Sequence, residues 1–295
     1  AARRLHRARP DLRVGNEGSR RRLLSPASAD AAALAAPLVR AQTAKYPSRQ
    51  IRIVVPFPPG GLTDAYARMY GEQLTQQLGA TVLVENKTGA GGVIGIDAVA
   101  KAPPDGYTLL VSTTGTVMQN RVLYSKLPYN LDKDLVPIAV FPSGPLVVAV
   151  APEVPARNVK EFLAWAKGRE ASMGSYAPGS YPHMIADLFN RRYGTRLQAV
   201  HYRGESPMWV DLASGQVQVA VGSIQAFNTV SQRGVKPIGV TGTYRTPKLP
   251  DVPTLVEQGI SDPLVALEGG LVLMAPAGTP EAVLQTLSQV VVKGA

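Results

Sequence analysis

Cysteine is absent from the 295 residues of this sequence. Disulfides, thiolate nucleophiles and cysteine-ligated metal sites are therefore excluded. Histidine is also scarce, since only His183 and His201 lie beyond residue 45. With two imidazoles and no thiolate available there, we predict no metal site and no cofactor.

Long apolar runs and several well-known motifs are missing too. After residue 45 no run approaches the about 20 apolar residues of a membrane-spanning helix. The motifs G-x-S-x-G and G-x-x-x-x-G-K-[ST] do not occur, and "GAGGVIG" at 89–95 has Ile94 where a dinucleotide fingerprint needs glycine. The chain is nevertheless 45% apolar, which predicts a globular protein with a substantial core.

The net charge of +10 is concentrated at the N-terminus. Residues 1–45 hold ten of the 31 Lys and Arg and three of the 21 Asp and Glu, so 21 basic and 18 acidic residues remain for the other 250. Basic character on this pattern does not favour a nucleic-acid partner, and we predict none.

Residues 1–45 read as a leader. Three arginines, "RRR" at 20–22, resemble a twin-arginine signal, and "VRA" at 39–41 resembles a cleavage site. We therefore predict an exported protein, the alternative being a disordered basic tail.

From Tyr46 onward, short apolar runs alternate with helical periodicity, which is typical of an α/β protein. We predict strands at 51–55, 81–86, 107–113 and 146–152, and an irregular, proline-rich crossover at 127–145. Several strands end in loops of Gly, Ser, Thr and Pro that lead into helices, as in "VVPFPPGGLTDAYAR" at 54–68. Ligands of open α/β sheets bind at such strand ends, and helix N-termini there favour anions. The alternative is ordinary helix capping, for example by Thr63 or Asp64.

A hydrolase is a competing interpretation, with His183 as general base beside a serine. The spacing supplies neither a nucleophile nor an orienting acid for it. His201 falls in a predicted strand and is expected to be packed.

The ordered set "YPSRQIRIVVPFPPGGLTDAYAR", "VENKTGAGGVIGIDAVAKAPPDGYTLLVSTTGT", "LPYNLDKDLVPIAV", "HYRGESPMWVDLASGQV" and "LPDVPTLVEQG" resembles the Bug family. These are extracytoplasmic solute receptors of tripartite tricarboxylate transporters. The resemblance implies an α/β, two-lobed type II periplasmic binding protein fold, with two mixed sheets flanked by helices and a hinge between lobes. Residues 46–145 and 240–295 would form lobe 1, and residues 146–239 lobe 2.

The resemblance also implies a function and partners. A small carboxylated solute would be captured between the lobes in the periplasm, without catalysis or a charged clamp, and delivered to the membrane permease subunits by a monomeric receptor. The alternative is a periplasmic sensor for a signalling partner.

The same resemblance implies the binding residues. Lobe 1 would hold a carboxylate through Pro59, Gly60, Gly61, Thr63, Asp64, Thr113, Thr114 and Thr116. Lobe 2 would contribute Ser175, Gly179, Ser180, His183, Tyr202, Gly204, Ser206 and Pro207.

Three departures from the family pattern qualify this expectation. The loop at 176–182, "YAPGSYP", has two tyrosines and two prolines, which predicts a more crowded, aromatic pocket. Gly222 and Ser223 stand where the family commonly has an aspartate, which changes the far-end contacts of the ligand. Family members also carry helices beyond the one that ends this sequence, so we expect uncovered apolar surface there.

Overall fold

The computed structural model describes residues 45–293, and the predicted leader lies outside this range apart from Lys45. The strands, in chain order, are β1 (Ile51–Val55), β2 (Val82–Asn86), β3 (Thr108–Thr113), β4 (Leu135–Gly144), β5 (Leu146–Val150), β6 (Glu170–Ser175), β7 (Arg196–His201), β8 (Val219–Ser223), β9 (Lys236–Val240) and β10 (Gly269–Pro276). The helices are α1 (Leu62–Leu78), α2 (Val93–Ala100), α3 (Thr114–Leu123), α4 (Leu131–Asp134), α5 (Val159–Ala166), α6 (Tyr181–Tyr193), α7 (Glu205–Ala213), α8 (Ile224–Asn228), α9 (Pro263–Ala266) and α10 (Glu281–Lys293).

The strands form two five-stranded mixed sheets, which we call the first and second sheet. Their orders are β2-β1-β3-β10-β4 and β7-β6-β8-β5-β9. In the first sheet β1 is parallel to β2 and β3, and β10 is antiparallel to β3 and β4. In the second, β6 is parallel to β7 and β8, and β5 is antiparallel to β8 and β9. The predicted architecture of two mixed sheets flanked by helices is confirmed.

Side-chain alternation along the strands explains the layers. In β1, Ile51, Ile53 and Val55 pack in a core with α1 and α10, whereas Val54 packs in the core on the opposite face. Successive side chains of a strand point to opposite faces, so a continuous apolar run predicts helices on both sides. The second sheet has one contiguous core, in which Trp209 is fully buried.

The chain passes from the first sheet to the second at Pro145, between β4 and β5. The return differs from the predicted boundary at residue 240. Val252, Leu255, Ile260 and Val265 are all buried in the core of the second sheet, so the return comes after them, just before β10. Sequence periodicity missed this because the segment has few residues in regular structure and is held by scattered apolar contacts.

The prediction of an irregular crossover at 127–145 is wrong for its second half. β4 is a ten-residue edge strand that pairs with β10, with a register shift between Leu273 and Met274. An edge strand tolerates Pro137 and Pro142 because one side of its backbone is unpaired.

None of the helices within residues 45–293 is long and apolar enough to cross a membrane.

Candidate functional site

A small cavity of about 30 Å³, here called the central cavity, lies between the two sheets. The first sheet contributes the loop from β1 to α1 and the start of α3, including Gly61, Thr63, Thr113 and Thr116. The second sheet contributes residues at the ends of β6 and β7, including Tyr176, Gly204 and Glu205. These are strand-to-helix loops of the kind singled out in the sequence. A volume of this size holds about two water molecules or one carboxylate group.

The N-terminus of α1 forms one wall of the central cavity. Gly61 is the N-cap in extended conformation, and no side chain caps the helix, so the predicted cap by Thr63 or Asp64 is wrong. The first helical bond runs from the Ala65 N–H to the Gly61 carbonyl, 3.1 Å. The N–H groups that precede it have no partner inside the helix, which leaves partial positive charge at this wall.

Asp64 does not line the central cavity, but its side chain restrains the loop between β1 and α1. Its carboxylate accepts hydrogen bonds from the Gly60 N–H at 3.0 Å, from Asn86 Nδ2 at 3.0 Å and from Arg68 at 3.1 Å. Burial alone would raise the pKa of Asp64, but the hydrogen bonds from Arg68, Gly60 and Asn86 outweigh it and lower that pKa. Gly60 was predicted to bind the solute, but its N–H group already donates to Asp64. Pro59 and Gly60, both predicted binding residues, are exposed.

The start of α3 forms the adjacent wall. Thr113 caps the helix by accepting from the Thr116 N–H at 3.0 Å, and its hydroxyl donates to Thr116 Oγ1 at 2.8 Å. The hydrogen of the Thr116 hydroxyl is thereby left for another acceptor, in a residue that lines the cavity. Thr114 donates to the Gly270 carbonyl at 3.2 Å and lines an adjoining cavity of about 170 Å³.

The second sheet places a carboxyl group at the central cavity. Glu205 is the first residue of α7, and it lines both the central and the adjoining cavity. It accepts from the Ser223 hydroxyl at 2.5 Å and the Ser223 N–H at 3.3 Å. Burial raises the pKa of Glu205, although the two hydrogen bonds from Ser223 act in the opposite direction. The effect of Ser223 on the far-end contacts of the ligand stays a prediction, and in the structure Ser223 donates to Glu205.

Tyr176 lines three cavities. It lines the central cavity, the adjoining cavity and a third of about 430 Å³ that also includes His201, Tyr202 and Arg203. Burial, together with the nearby Glu205 carboxylate, raises the pKa of the Tyr176 hydroxyl, which therefore stays protonated. The predicted aromatic crowding by the 176–182 loop is found here.

The two lobes touch beside the central cavity. The Ser206 hydroxyl donates to the Pro59 carbonyl at 2.9 Å. Gly204 has φ +139° and lies so close to Pro58 that a Cβ there would be 2.6 Å from the proline Cδ. Pro207 follows in the first turn of α7. Ser206 and Gly204 therefore contact the first lobe, and of Gly204, Ser206 and Pro207 only Gly204 lines the central cavity.

The remaining predicted residues of lobe 2 organise the loop that follows β6. The Ser175 hydroxyl donates to the Ala177 carbonyl and lies 2.8 Å from Ser180 Oγ, and both serines are buried. His183 Nδ1 accepts from the Gly179 N–H at 2.9 Å. None of these four predicted residues, Ser175, Gly179, Ser180 and His183, is among those that line the cavities described above.

The geometry gives the hydrolase interpretation no support. His183 Nδ1 accepts a hydrogen bond from a backbone amide. The centroid of its ring lies 4.8 Å from that of the His201 ring. His201 Nδ1 is 3.2 Å from Ser175 Oγ, but that hydroxyl is fully buried. Burial, and then the neighbouring His183, lower the pKa of His201.

Glu205 and Tyr176 were not among the residues predicted to bind the solute. Both stand in the loops that were singled out, but an acidic residue in the first turn of a helix is ordinarily explained by the helix dipole. The lining residues of the central and adjoining cavities include no Lys, Arg or His within residues 45–293. In the same range, His, Asp and Glu form no group of three or more that could hold a metal ion.

Comparison with known proteins identifies the family. Residues 66–295 match the family model described as "Tripartite tricarboxylate transporter family receptor". Protein BugT of Bordetella pertussis is 35% identical over 262 residues, which cover 88% of this chain and 79% of BugT.

Two solved structures are also similar. Rpa4515 of R. palustris, solved with adipate, has a TM-score of 0.79 and 32% identity, covering 83% of each chain. MatC from Rhodopseudomonas palustris, with bound malate, has a TM-score of 0.74 and 31% identity, covering 84% of this chain and 85% of that one. The two-sheet architecture and these similarities agree with the predicted type II binding-protein fold. This chain belongs to the tripartite tricarboxylate transporter receptor family.

Proposed function

We propose that this chain is a periplasmic receptor that captures a small organic acid between its lobes and delivers it to the membrane subunits of a tripartite tricarboxylate-type transporter. The observation that carries the proposal is the central cavity, where the N-termini of α1 and α3 meet without a basic side chain. Unpaired amides and hydroxyls at a helix N-terminus are suited to a carboxylate.

The similarities support this assignment. Rpa4515 and MatC were solved with adipate and malate, both small carboxylic acids. We propose that one carboxylate of the solute occupies the central cavity, held by Gly61, Thr63 and Thr116, and that the rest extends into the adjoining cavity. Export by the N-terminal leader, a monomeric state and the absence of catalysis belong to the same proposal.

Isothermal titration calorimetry of the folded protein with mono-, di- and tricarboxylates tests the proposal. We expect saturable, one-to-one binding of at least one acid, and Thr116→Val should weaken it by removing a hydroxyl from the cavity. Thr229→Val, at an exposed threonine in the second lobe, is the matched control. Failure of every acid to bind a folded sample would overturn the proposal.

A further inference from the structure

Glu205 gives the candidate site a negative lining. It lines the central and adjoining cavities, and Glu268 adds a second carboxyl group to the adjoining one. In the described part of the chain, neither lining includes a basic side chain. Among residues 45–293, Glu205 takes part in none of the ion pairs. Within the described part of the chain, this carboxyl group therefore has no cationic partner, and a bound solute could supply one.

Ser223 supplies only some of the hydrogen bonds that the Glu205 carboxylate can accept. The Ser223 hydroxyl accepts from the Ala226 N–H at 3.2 Å as the N-cap of α8, so its hydrogen is directed to Glu205. The Ser223 N–H supplies the second hydrogen bond. An ionised carboxylate accepts about four hydrogen bonds, so acceptor capacity remains in a side chain that lines two cavities.

The two walls of the site therefore differ in charge. The α1 wall presents amides that favour a carboxylate, whereas the Glu205 wall presents an acceptor that favours a donor. A second solute carboxylate placed in the adjoining cavity would meet Glu205 and Glu268 with no basic residue in the lining. Like charges at short range raise the free energy of the complex, whereas an ammonium group gains charge-assisted hydrogen bonds.

We propose that the solute is an amino carboxylate, with its carboxylate at the amides of α1 and its ammonium group donating to Glu205. The inference rests on the proposed function and narrows its solute class from organic acids in general to zwitterions. Glu205 is then the residue that selects among acids.

Three matched series of probes test the inference by calorimetry at pH 7.5. The amino carboxylates are glycine, β-alanine, 4-aminobutanoate and 5-aminopentanoate. In the second series a methyl group replaces the ammonium (propanoate to hexanoate), and in the third a carboxylate replaces it (malonate to adipate). We expect the tightest probe to be an amino carboxylate, about tenfold or more ahead of its two matched analogues, as one charge-assisted hydrogen bond implies.

A dicarboxylate or an alkyl acid as the tightest probe overturns this inference while leaving the proposed function intact. Binding by no acid of any series overturns both. These outcomes need no variant, so they hold even where a substitution at Glu205 impairs folding.

Variants then assign the selectivity to one side chain. In Glu205→Gln, whose folding is checked by thermal unfolding, we expect the advantage of the amino carboxylate over its dicarboxylate analogue to shrink about tenfold or more. Glu170→Gln removes the same charge from an exposed position at the far end of β6 and should leave the ratio unchanged. An unchanged ratio in a folded Glu205→Gln protein contradicts the assignment.

Discussion

The two lobes contribute to the central cavity in different chemical ways. The first lobe offers backbone amides and threonine hydroxyls at the starts of α1 and α3. The second lobe offers the side chains of Tyr176 and Glu205. Backbone amides can donate to any carboxylate, whereas the side chains of Tyr176 and Glu205 can also interact with the rest of a solute. In our proposal, the first lobe recognises the carboxylate and the second lobe selects among solutes.

Gly204→Ala should have the largest effect on binding, because it pushes the two lobes apart. The new Cβ would overlap Pro58 across the lobe contact. Overpacking of this kind costs about 1–3 kcal/mol, so we expect affinity for the best-binding acid to fall about tenfold to hundredfold. The positive φ of Gly204 should lower the free energy of unfolding of the variant by about a further 1–3 kcal/mol.

Gly79→Ala is the matched control, since Gly79 has φ +68° with nothing within 4 Å of its Cβ position. It should lose stability without losing affinity. Calorimetry and thermal unfolding of both variants separate the two effects, and equal affinities for them would contradict a role for the Gly204–Pro58 contact.

Asp64→Ala tests whether the first wall depends on its support. Three partners lose their acceptor, and we expect a loss of about 1–3 kcal/mol in the free energy of unfolding at pH 7. Because the folded-state pKa of Asp64 is lowered, its contribution is present above the ordinary aspartate pKa and is lost as pH falls through the lowered one.

The difference between wild type and Asp64→Ala should therefore shrink in acid, which urea titrations over a pH series measure. Asp132→Ala removes an exposed carboxylate paired with Arg121 and should cost less than about 1 kcal/mol. A difference for Asp64→Ala that persists unchanged at low pH would exclude the ionised carboxylate as its cause.

Tyr176→Ala tests the second wall. Removing the ring enlarges the space at the three cavities that it lines. We therefore expect longer acids to gain affinity relative to short ones, by about tenfold if one buried contact is worth about 1.4 kcal/mol. Tyr176→Phe keeps the ring and should preserve the chain-length preference. Calorimetry with acids of increasing length decides between these outcomes.

Ser206→Ala has the smallest expected effect. It removes one hydrogen bond between the lobes, to the Pro59 carbonyl, and should weaken solute binding about two- to tenfold. Ser231→Ala, which removes a local bond to the Asn228 carbonyl, is the control. A Ser206→Ala affinity equal to wild type would show that the lobe contact relies on packing instead.

The sequence predicted the fold well because apolar alternation and strand-to-helix loops are local signals. β4 was missed since Pro137 and Pro142 obscure an edge strand that only its pairing with β10 reveals. The return to the first lobe was misplaced because Val252 and Leu255 join the second core through tertiary contacts.

The candidate site was predicted to the level of its loops. Which groups line the cavity depends on distances across the chain, such as Asp64 to Asn86 or Glu205 to Ser223. The spacing of residues within one loop does not show that Asp64 accepts a hydrogen bond from the Gly60 amide, or that Glu205 lines two cavities.

The bonds around Asp64 have a thermodynamic consequence for binding. Their partners all belong to the first lobe, so these hydrogen bonds restrain the β1–α1 loop without needing the second lobe. A loop that is already ordered loses little conformational entropy when it binds. Loosening it by removing Asp64 should therefore appear in calorimetry as a larger entropic penalty on binding, with the enthalpy of the carboxylate contacts largely retained.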